Sequence, residues 1–240
     1  PTIDVAQTTD QRRLNHVEVQ AIPYPASQDV RRALPMFAGV VQDSSGEPHV
    51  NGGAGDQASY SLNGFNIADP VTGILEARIS IETVRGLDLE SGRVSAAAGR
   101  GSAGSLSLET GMGDDRFRAG ATNFIPSFSK THGLVLSKWT PRTFVSGPIA
   151  RGRAWFHNGF DAFYDVDTIP ELPRGQDRSR EFTASNLSRV QVNLRPSNIL
   201  TASYLWNYAD SDSHGLSFLS PAETTVDRRR SFNMAAVRNQ

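Results

Sequence analysis

Gly99-Arg-Gly101-Ser-Ala-Gly104 fits the Gly-x-Gly-x-x-Gly pattern. Between a strand and a helix, that pattern turns backbone amides and a helix dipole toward a pyrophosphate. Here Ser105-Leu-Ser-Leu-Glu-Thr110 follows and alternates like a strand, so no helix N-terminus awaits an anion. The residues read as a tight turn where backbones pack closely. The five histidines are His16, His49, His132, His157 and His214. None pairs at His-x-His or His-x-x-x-His spacing, so they predict no local metal site. His157 alternates with apolar neighbours and reads as a solvated residue on the polar face of a strand. The chain has no cysteine, which excludes disulfides, thiolate metal sites and cysteine nucleophiles. A Gly-x-Ser-x-Gly nucleophile elbow is also missing. We therefore expect no catalytic residue, no cofactor and no metal. The densest cationic run, Asp227-Arg-Arg-Arg230, reads as a solvated loop end or as a contact for anionic lipid headgroups at a membrane rim.

Composition narrows the classes. The 240 residues carry 24 Lys and Arg against 25 Asp and Glu, a net charge of -1, which argues against a nucleic-acid binder. Mean hydropathy is -0.37, and no run approaches the ~18 apolar residues of a spanning helix. A membrane β-barrel stays open, because its strands need only alternate. The chain starts at Pro1 without an initiator Met or a signal segment, and Ser231 to Gln240 reads as a strand without a following turn. We expect a chain trimmed of its signal, or a piece of something longer.

The elements that must position these residues fall into two parts. Fourteen of the 21 glycines lie between Gly39 and Gly113, whereas all three tryptophans and ten of the 12 phenylalanines come later. The boundary is placed at Thr110 to Asp114. The first part opens with a polar lead, Pro1 to Arg13, read as extended or mobile. Ser27 to Leu34 reads as a short helix with Ser27 as N-cap. Short strands are expected at Val40-Val41, His49 to Asn51, Ser59 to Leu62, Ile79 to Val84 and Ser105 to Glu109, separated by Gly and Asn/Asp turns. This is a small mixed α/β module.

The second part alternates with period two, the signature of strands with one apolar and one polar face. Ala154, Phe156, Phe160, Ala162 and Tyr164 interleave with Arg153, His157 and Asp161. Ala184, Val190, Val192 and Leu194 interleave with Ser185, Arg189, Gln191 and Asn193. Leu200, Ala202, Tyr204, Trp206 and Tyr208 interleave with Thr201, Ser203 and Asn207. Tight turns at Pro148 to Gly152 and Arg195 to Asn198 alternate with long polar links, Asp165 to Arg180 and Asp210 to Asp227. Short turns at one end and long loops at the other are the connectivity of an outer-membrane barrel, and aromatic rings at strand ends fit its interface girdle. A soluble sandwich with aromatic edges is the competing reading of the same alternation.

Taken in order, the Gly-rich motifs carry a resemblance. Leu34-Pro35, Gly39-Val40-Val41, Ser45-Gly46 and His49-Val50-Asn51-Gly52-Gly53 come first. Tyr60-Ser-Leu62-Asn63-Gly64-Phe65-Asn66, Asp69-Pro70, Ile81 to Val84 and Ala98 to Thr110 follow. The series resembles the plug domain of TonB-dependent outer-membrane receptors, and Ser146-Gly147-Pro148-Ile149 resembles a turn of their large Oar-like subgroup. Asn63 stands where the family usually has Asp, Ala103 replaces a common Gly, and Met36-Phe-Ala separates Leu34-Pro35 from Gly39.

The resemblance implies a plug domain at residues 1–112 and the N-terminal part of an outer-membrane β-barrel at 113–240, in about six antiparallel strands. The fold class is then a small mixed α/β plug domain followed by antiparallel strands of an incomplete transmembrane β-barrel. It implies a structural plug motif at Asn51, Gly52, Gly53, Leu62, Asn63, Gly64, Gly99, Gly101 and Gly104. It implies substrate-facing plug loops at Asp56, Gln57, Asn66 and Asp69. The polar strand faces, with Arg116, Arg118, Arg189, Gln191 and Asn193, would line the lumen or contact the plug. The implied function is uptake of a scarce small-molecule, glycan or peptide substrate across the outer membrane of a Gram-negative bacterium. The implied partners are the TonB-ExbB-ExbD energy-transducing complex and outer-membrane lipid. The TonB-contacting box lies upstream of the plug in the family and is assigned to no residue here. Two alternatives stay open: a secretion or surface protein of the same architecture, and a soluble secreted β-rich binding module.

Overall fold

A computed structural model describes residues 9–23, 29–43, 46–92, 101–130, 133–195 and 197–240. The chain forms two compact units, Pro1–Gly111 and Met112–Gln240.

The first unit is built on a five-stranded mixed sheet. Its strands are β1 (Thr9–Leu14), β4 (Ala58–Leu62), β5 (Phe65–Asn66), β6 (Val84–Gly92) and β7 (Gly104–Thr110), in the order β1-β6-β7-β4-β5. β4 and β7 run parallel, and the other neighbours are antiparallel. β2 (Val40–Gln42) and β3 (Pro48–Val50) make a separate hairpin. The core follows from alternation, since Ala58, Tyr60 and Leu62 of β4 and Leu106 and Leu108 of β7 point inward. Leu87 and Leu89 of β6 join them. Each such leucine contributes about 1.5–3 kcal/mol by leaving water.

Among the described residues helix is confined to α1 (His16–Gln20), α2 (Val30–Ala33) and single 3₁₀ turns. Asn15 and Glu18 form a capping box on α1. Asp29 caps α2 through a bond from the Arg31 amide, so the helix starts later than the sequence suggests. The expected cap, Ser27, lies outside the described residues.

One other expectation is corrected. Ile79 to Val84 is not a strand, because Ile81–Thr83 forms a 3₁₀ turn held by Thr83 Oγ1 donating to the Ser80 carbonyl at 2.7 Å. The strand begins where that turn ends, at Val84. In the polar lead, Thr9–Leu14 pairs in full register with the edge of β6.

The second unit is antiparallel throughout. Its strands are β8 (Arg118–Thr122), β9 (Ser127–Ser129), β10 (Val135–Trp139), β11 (Arg142–Ala150), β12 (Ala154–Thr168), β13 (Arg178–Arg195), β14 (Asn198–His214) and β15 (Val226–Asn239). β9 pairs β10 while β8 pairs β11, and both β10 and β11 pair β12. The eight segments therefore form six lines of strand. Pro141, which has no amide to donate, marks the break between β10 and β11, and its carbonyl accepts from Ala162 N at 3.0 Å. The long links are shorter than the sequence suggests, 169–177 and 215–225, because charged residues at both ends continue the ladder. Among the described residues no helix is long and apolar enough to cross a membrane.

Candidate functional site

In the first unit the singled-out residues sit in turns around β4. Asn51 and Gly52 follow β3 with φ of 50° and 75°, a left-handed pair that Asn and Gly tolerate best. The turn packs on the start of β7, leaving no room for a side chain at Gly53 or Gly104. A Cβ on Gly53 would stand 2.5 Å from Ala103 Cβ. One on Gly104 would stand 2.9 Å from the Glu90 carbonyl oxygen and 2.8 Å from Val50 Cγ1. Asn51 Nδ2 donates to the Ala103 carbonyl at 3.4 Å. Gly101 is buried just ahead of β7, and Gly99 lies outside the described residues. The glycine-rich pattern thus leads into a strand and cradles protein backbone.

Asp56 and Gln57 are exposed on the 3₁₀ turn before β4. Gln57 Oε1 accepts from Ala54 N at 3.1 Å, and its carbonyl accepts from Ala103 N at 3.1 Å. Beneath them Tyr60 donates to the Gly55 carbonyl at 2.9 Å, and burial pushes its hydroxyl pKa up to about 12. At the far end of β4, buried Leu62 leads into Asn63 (φ 53°) and Gly64 (φ 83°), a two-residue hairpin turn with left-handed backbone at both positions. Asn63 also ties the hairpin to β7. Its Oδ1 accepts from Thr110 N at 3.0 Å and its Nδ2 donates to Thr110 Oγ1 at 2.9 Å.

Asn66 and Asp69 use their side chains locally. Asn66 Oδ1 accepts from Ala68 N, and Asp69 Oδ1 accepts from Val71 N and Thr72 N, all within 2.8–2.9 Å. Asn66 is opposite Ser61 of β4, about 10 Å along the strand from Ala58, where the turn bearing Asp56 ends. The two turns therefore present separate surfaces.

Besides Tyr60, several ionisable side chains of this unit have displaced pKa values. The Gly53 carbonyl, 2.9 Å from His49 Nδ1, raises His49, with Asp43 and Glu47 adding to it. Burial and then the Arg85 charge lower His16. Burial by itself would raise Asp29, but Arg31, paired at 2.7 Å, and Arg78 bring it below its ordinary value. Among the described residues no group of three His, Cys, Asp or Glu could hold a metal ion.

In the second unit, register sorts the side chains onto two faces. Phe156, Val190, Ala202 and Val237 form one row. The same face runs through Trp206 and Tyr208 on β14 to Tyr164 and Phe182 near the long links. Leu200 to Tyr208 is nine residues, close to the ~9–11 that carry a tilted strand across a bilayer. His157, Arg189 and Ser203 lie on the opposite face, as do Asp161, Ser185 and Asn207. His157 and Asp161 are 1% and 0% exposed, so His157 is buried rather than solvated as the alternation suggested. Asn207 Nδ2 donates to Ser185 Oγ at 2.9 Å.

The sequence reading missed two features. The first is a polar band within the apolar face. Asn158 Nδ2 donates to Asn186 Oδ1 at 3.2 Å and to Ser188 Oγ at 2.8 Å, and Tyr204 donates to Asn233 Oδ1 at 2.8 Å. Mutual bonding lowers the cost of such groups away from water. The second is an ion network across three strands, in which Arg180 meets Asp212 and Asp210, and Arg229 meets Asp210.

No family model matches the chain. Over 199 residues it is 24% identical to the TonB-dependent transporter Oar of Myxococcus xanthus, an alignment covering 67% of this chain and 17% of that protein. Its fold is similar to that of the outer membrane transporter YddB from Escherichia coli, with a TM-score of 0.65 at 10% identity over 95% of this chain and 36% of that one. It is also similar to the siderophore receptor PirA from Acinetobacter baumannii, with a TM-score of 0.61 at 12% identity over 84% of this chain and 32% of that one. The chain thus spans 17% of the curated relative and about a third of each of these two structures.

Proposed function

Because the chain belongs with the TonB-dependent receptors of the Gram-negative outer membrane, we propose that it forms their plug domain at residues 1–112 and the first strands of their barrel at 113–240. The observation that carries this reading is the run of four long antiparallel strands, β12 to β15, joined alternately by tight turns and long links, with an apolar and a polar face sorted across β12 to β14. β13 has 18 residues, about 60 Å at ~3.3 Å per residue. Tilted by ~40°, it rises well beyond the ~25 Å apolar band of such barrels. The polar strand ends therefore stand clear of the membrane on the long-link side.

In this reading the protein moves a scarce solute inward and makes no covalent change to it. A barrel of ~22 strands needs its lumen blocked. The Gly-rich unit, with close packing at Gly53 and Gly104 that leaves no room for a side chain, is suited to filling such a space. The TonB-ExbB-ExbD complex supplies the pull, through a contact outside this chain. Asp56, Gln57, Asn66 and Asp69 are the proposed substrate-facing residues. Asp56 and Gln57 on one turn, and Asn66 and Asp69 on the other, act as separate contacts. The relative PirA is by name a siderophore receptor, so ferric chelates come first among the solutes to test.

The test is uptake by cells with and without the gene, across ferric chelates, other metal chelates, glycans and peptides. We expect one class to be taken up only with the gene and only while the proton-motive force is intact. Gene-dependent uptake that survives an uncoupler contradicts the energy coupling. No gene-dependent uptake across the panel contradicts import and favours a surface or secretion role.

A further inference from the structure

The cationic run Asp227-Arg-Arg-Arg230 is not a single patch. Arg229 stands opposite Asp210, in the row of Phe182 and Tyr164, whereas Arg228 and Arg230 stand opposite Ser211 and Ala209 on the other face. A partner for Arg229 comes from a different strand. Arg180 of β13 lies 2.5 Å from the Asp212 carboxylate and 3.7 Å from that of Asp210. Arg229 donates from Nε to Asp210 Oδ1 at 3.1 Å. With Nε tied, the guanidinium plane is held while the side chain remains 73% exposed. Two carboxylates offset the two arginines, so bringing the guanidinium groups together carries little repulsion.

Aromatic rings continue on the same face, Phe182 in the row of Asp210 and then Tyr208 and Trp206 below it. Phe182 and Tyr208 have ring centroids 6.3 Å apart, and Trp206 stacks on Tyr208 at 6.4 Å. Such rings settle at the boundary between acyl chains and headgroups. Asp210 is two positions beyond Tyr208, about 7 Å along the strand. The headgroup layer on one side of a bilayer is ~5–8 Å thick. The guanidinium groups therefore fall at the level of lipid phosphates, and a guanidinium edge matches a phosphate bidentately.

We infer that Arg180 and Arg229 form a binding site for an anionic, phosphate-bearing lipid headgroup of the outer leaflet, with Trp206 and Tyr208 against its upper acyl chains. The leaflet follows from the long links on this side of the sheet. The inference rests on the barrel reading proposed above, since a soluble sheet would have no headgroup at this level.

The test uses the intact receptor in nanodiscs of phosphatidylcholine with a minor fraction of phosphatidylglycerol, and reads retained lipid by native mass spectrometry after gentle delipidation. Wild type should retain phosphatidylglycerol above its share of the disc. At ~1 kcal/mol for each arginine, R180Q or R229Q should each lower that enrichment about fivefold, and the double variant about 30-fold. R228Q/R230Q removes equal charge from the other face and should leave the enrichment unchanged. Equal losses in both double variants would overturn the site in favour of general charge. Should R180Q/R229Q fail to fold, wild type still decides, because no enrichment of the anionic lipid overturns the proposal. A receptor that does not enter discs at all contradicts the barrel reading, whereas one that enters without enrichment contradicts the lipid site alone.

Discussion

Asn63 offers the sharpest perturbation of the first unit. Its side chain accepts from Thr110 N at 3.0 Å and donates to Thr110 Oγ1 at 2.9 Å, while its backbone holds φ at 53°. Replacing it by alanine removes both bonds, each worth about 1 kcal/mol. It also places a residue without Asn's tolerance in the left-handed region, at a cost of about 1 kcal/mol. Asn63→Ala should therefore weaken the β4–β5 hairpin and its tie to β7 by about 3 kcal/mol, and Asn63→Gly by about 2 because glycine accepts the backbone angle. Asn63→Asp keeps the acceptor for Thr110 N and tolerates the angle, so it should cost under about 1 kcal/mol. The assay is native-state hydrogen exchange on the intact protein. The reporter is the amide of residue 63, whose bond to the Leu108 carbonyl at 2.8 Å is unaffected by the substitution. Exchange should speed up on the order of 100-fold in the alanine variant and by only a few-fold in the aspartate variant. Equal protection in wild type and Asn63→Ala would refute the reasoning, as would an Asp variant as labile as the Ala variant.

Other consequences follow from the same packing and charges. Gly104→Ala puts a methyl 2.9 Å from the Glu90 carbonyl oxygen. It should destabilise the first unit by about 1–3 kcal/mol in exchange measurements, whereas Gly52→Ala meets no atom and should cost only its backbone strain. His49 has a raised pKa, so its contribution to stability is fully present below pH ~6.5 and is lost as pH rises through the folded value. His16 has a lowered pKa, so its contribution is present above pH ~6.5 and is lost as pH falls. Imidazole NMR titration should place the two on opposite sides of the ordinary value, and Asp43→Asn should move His49 down. Asp29 has a depressed pKa, so its cap on α2 weakens as pH falls through the carboxylate range. Asp29→Asn should flatten the acid limb of the first unit's stability curve.

How far the fold could be read from sequence depended on whether a strand's pattern was its own. Leu200 to Tyr208 alternates along its whole length, and β14 appears there. Asn63-Gly64 between apolar runs marks a two-residue hairpin, and the backbone angles agree. β1 was not legible as a strand because Asp10, Gln11, Arg12 and Arg13 show no apolar period. It is extended because β6 offers an edge, and Arg13 then reaches Asp88 and Glu109. Ile79 to Val84 looked like a strand because Ile79, Ile81 and Val84 are all apolar and buried, but the Ser80–Thr83 hydrogen bond closes a turn instead. The strand lengths of the second unit were underestimated for a related reason. Beyond the apolar segment, Asp210 to His214 and Val226 to Arg230 look like loop, yet ion pairs across the ladder keep them paired. The Arg180–Asp210–Arg229 network was invisible in one dimension, since its members come from three strands and meet only through register. The same holds for the polar band of Asn158, Asn186 and Ser188, which breaks the alternation only when three strands are laid side by side.

The chain contains no cysteine, so a single introduced thiol reports where a turn lies. Phe218, 66% exposed in the long link after β14, and Ser197, in the tight turn before it, should lie on opposite sides of the outer membrane. We expect Phe218→Cys to react with a membrane-impermeant maleimide on intact cells. Ser197→Cys should react only after the outer membrane is permeabilised. Equal labelling of both on intact cells, or the reverse pattern, would contradict the account of this chain as the beginning of an outer-membrane barrel.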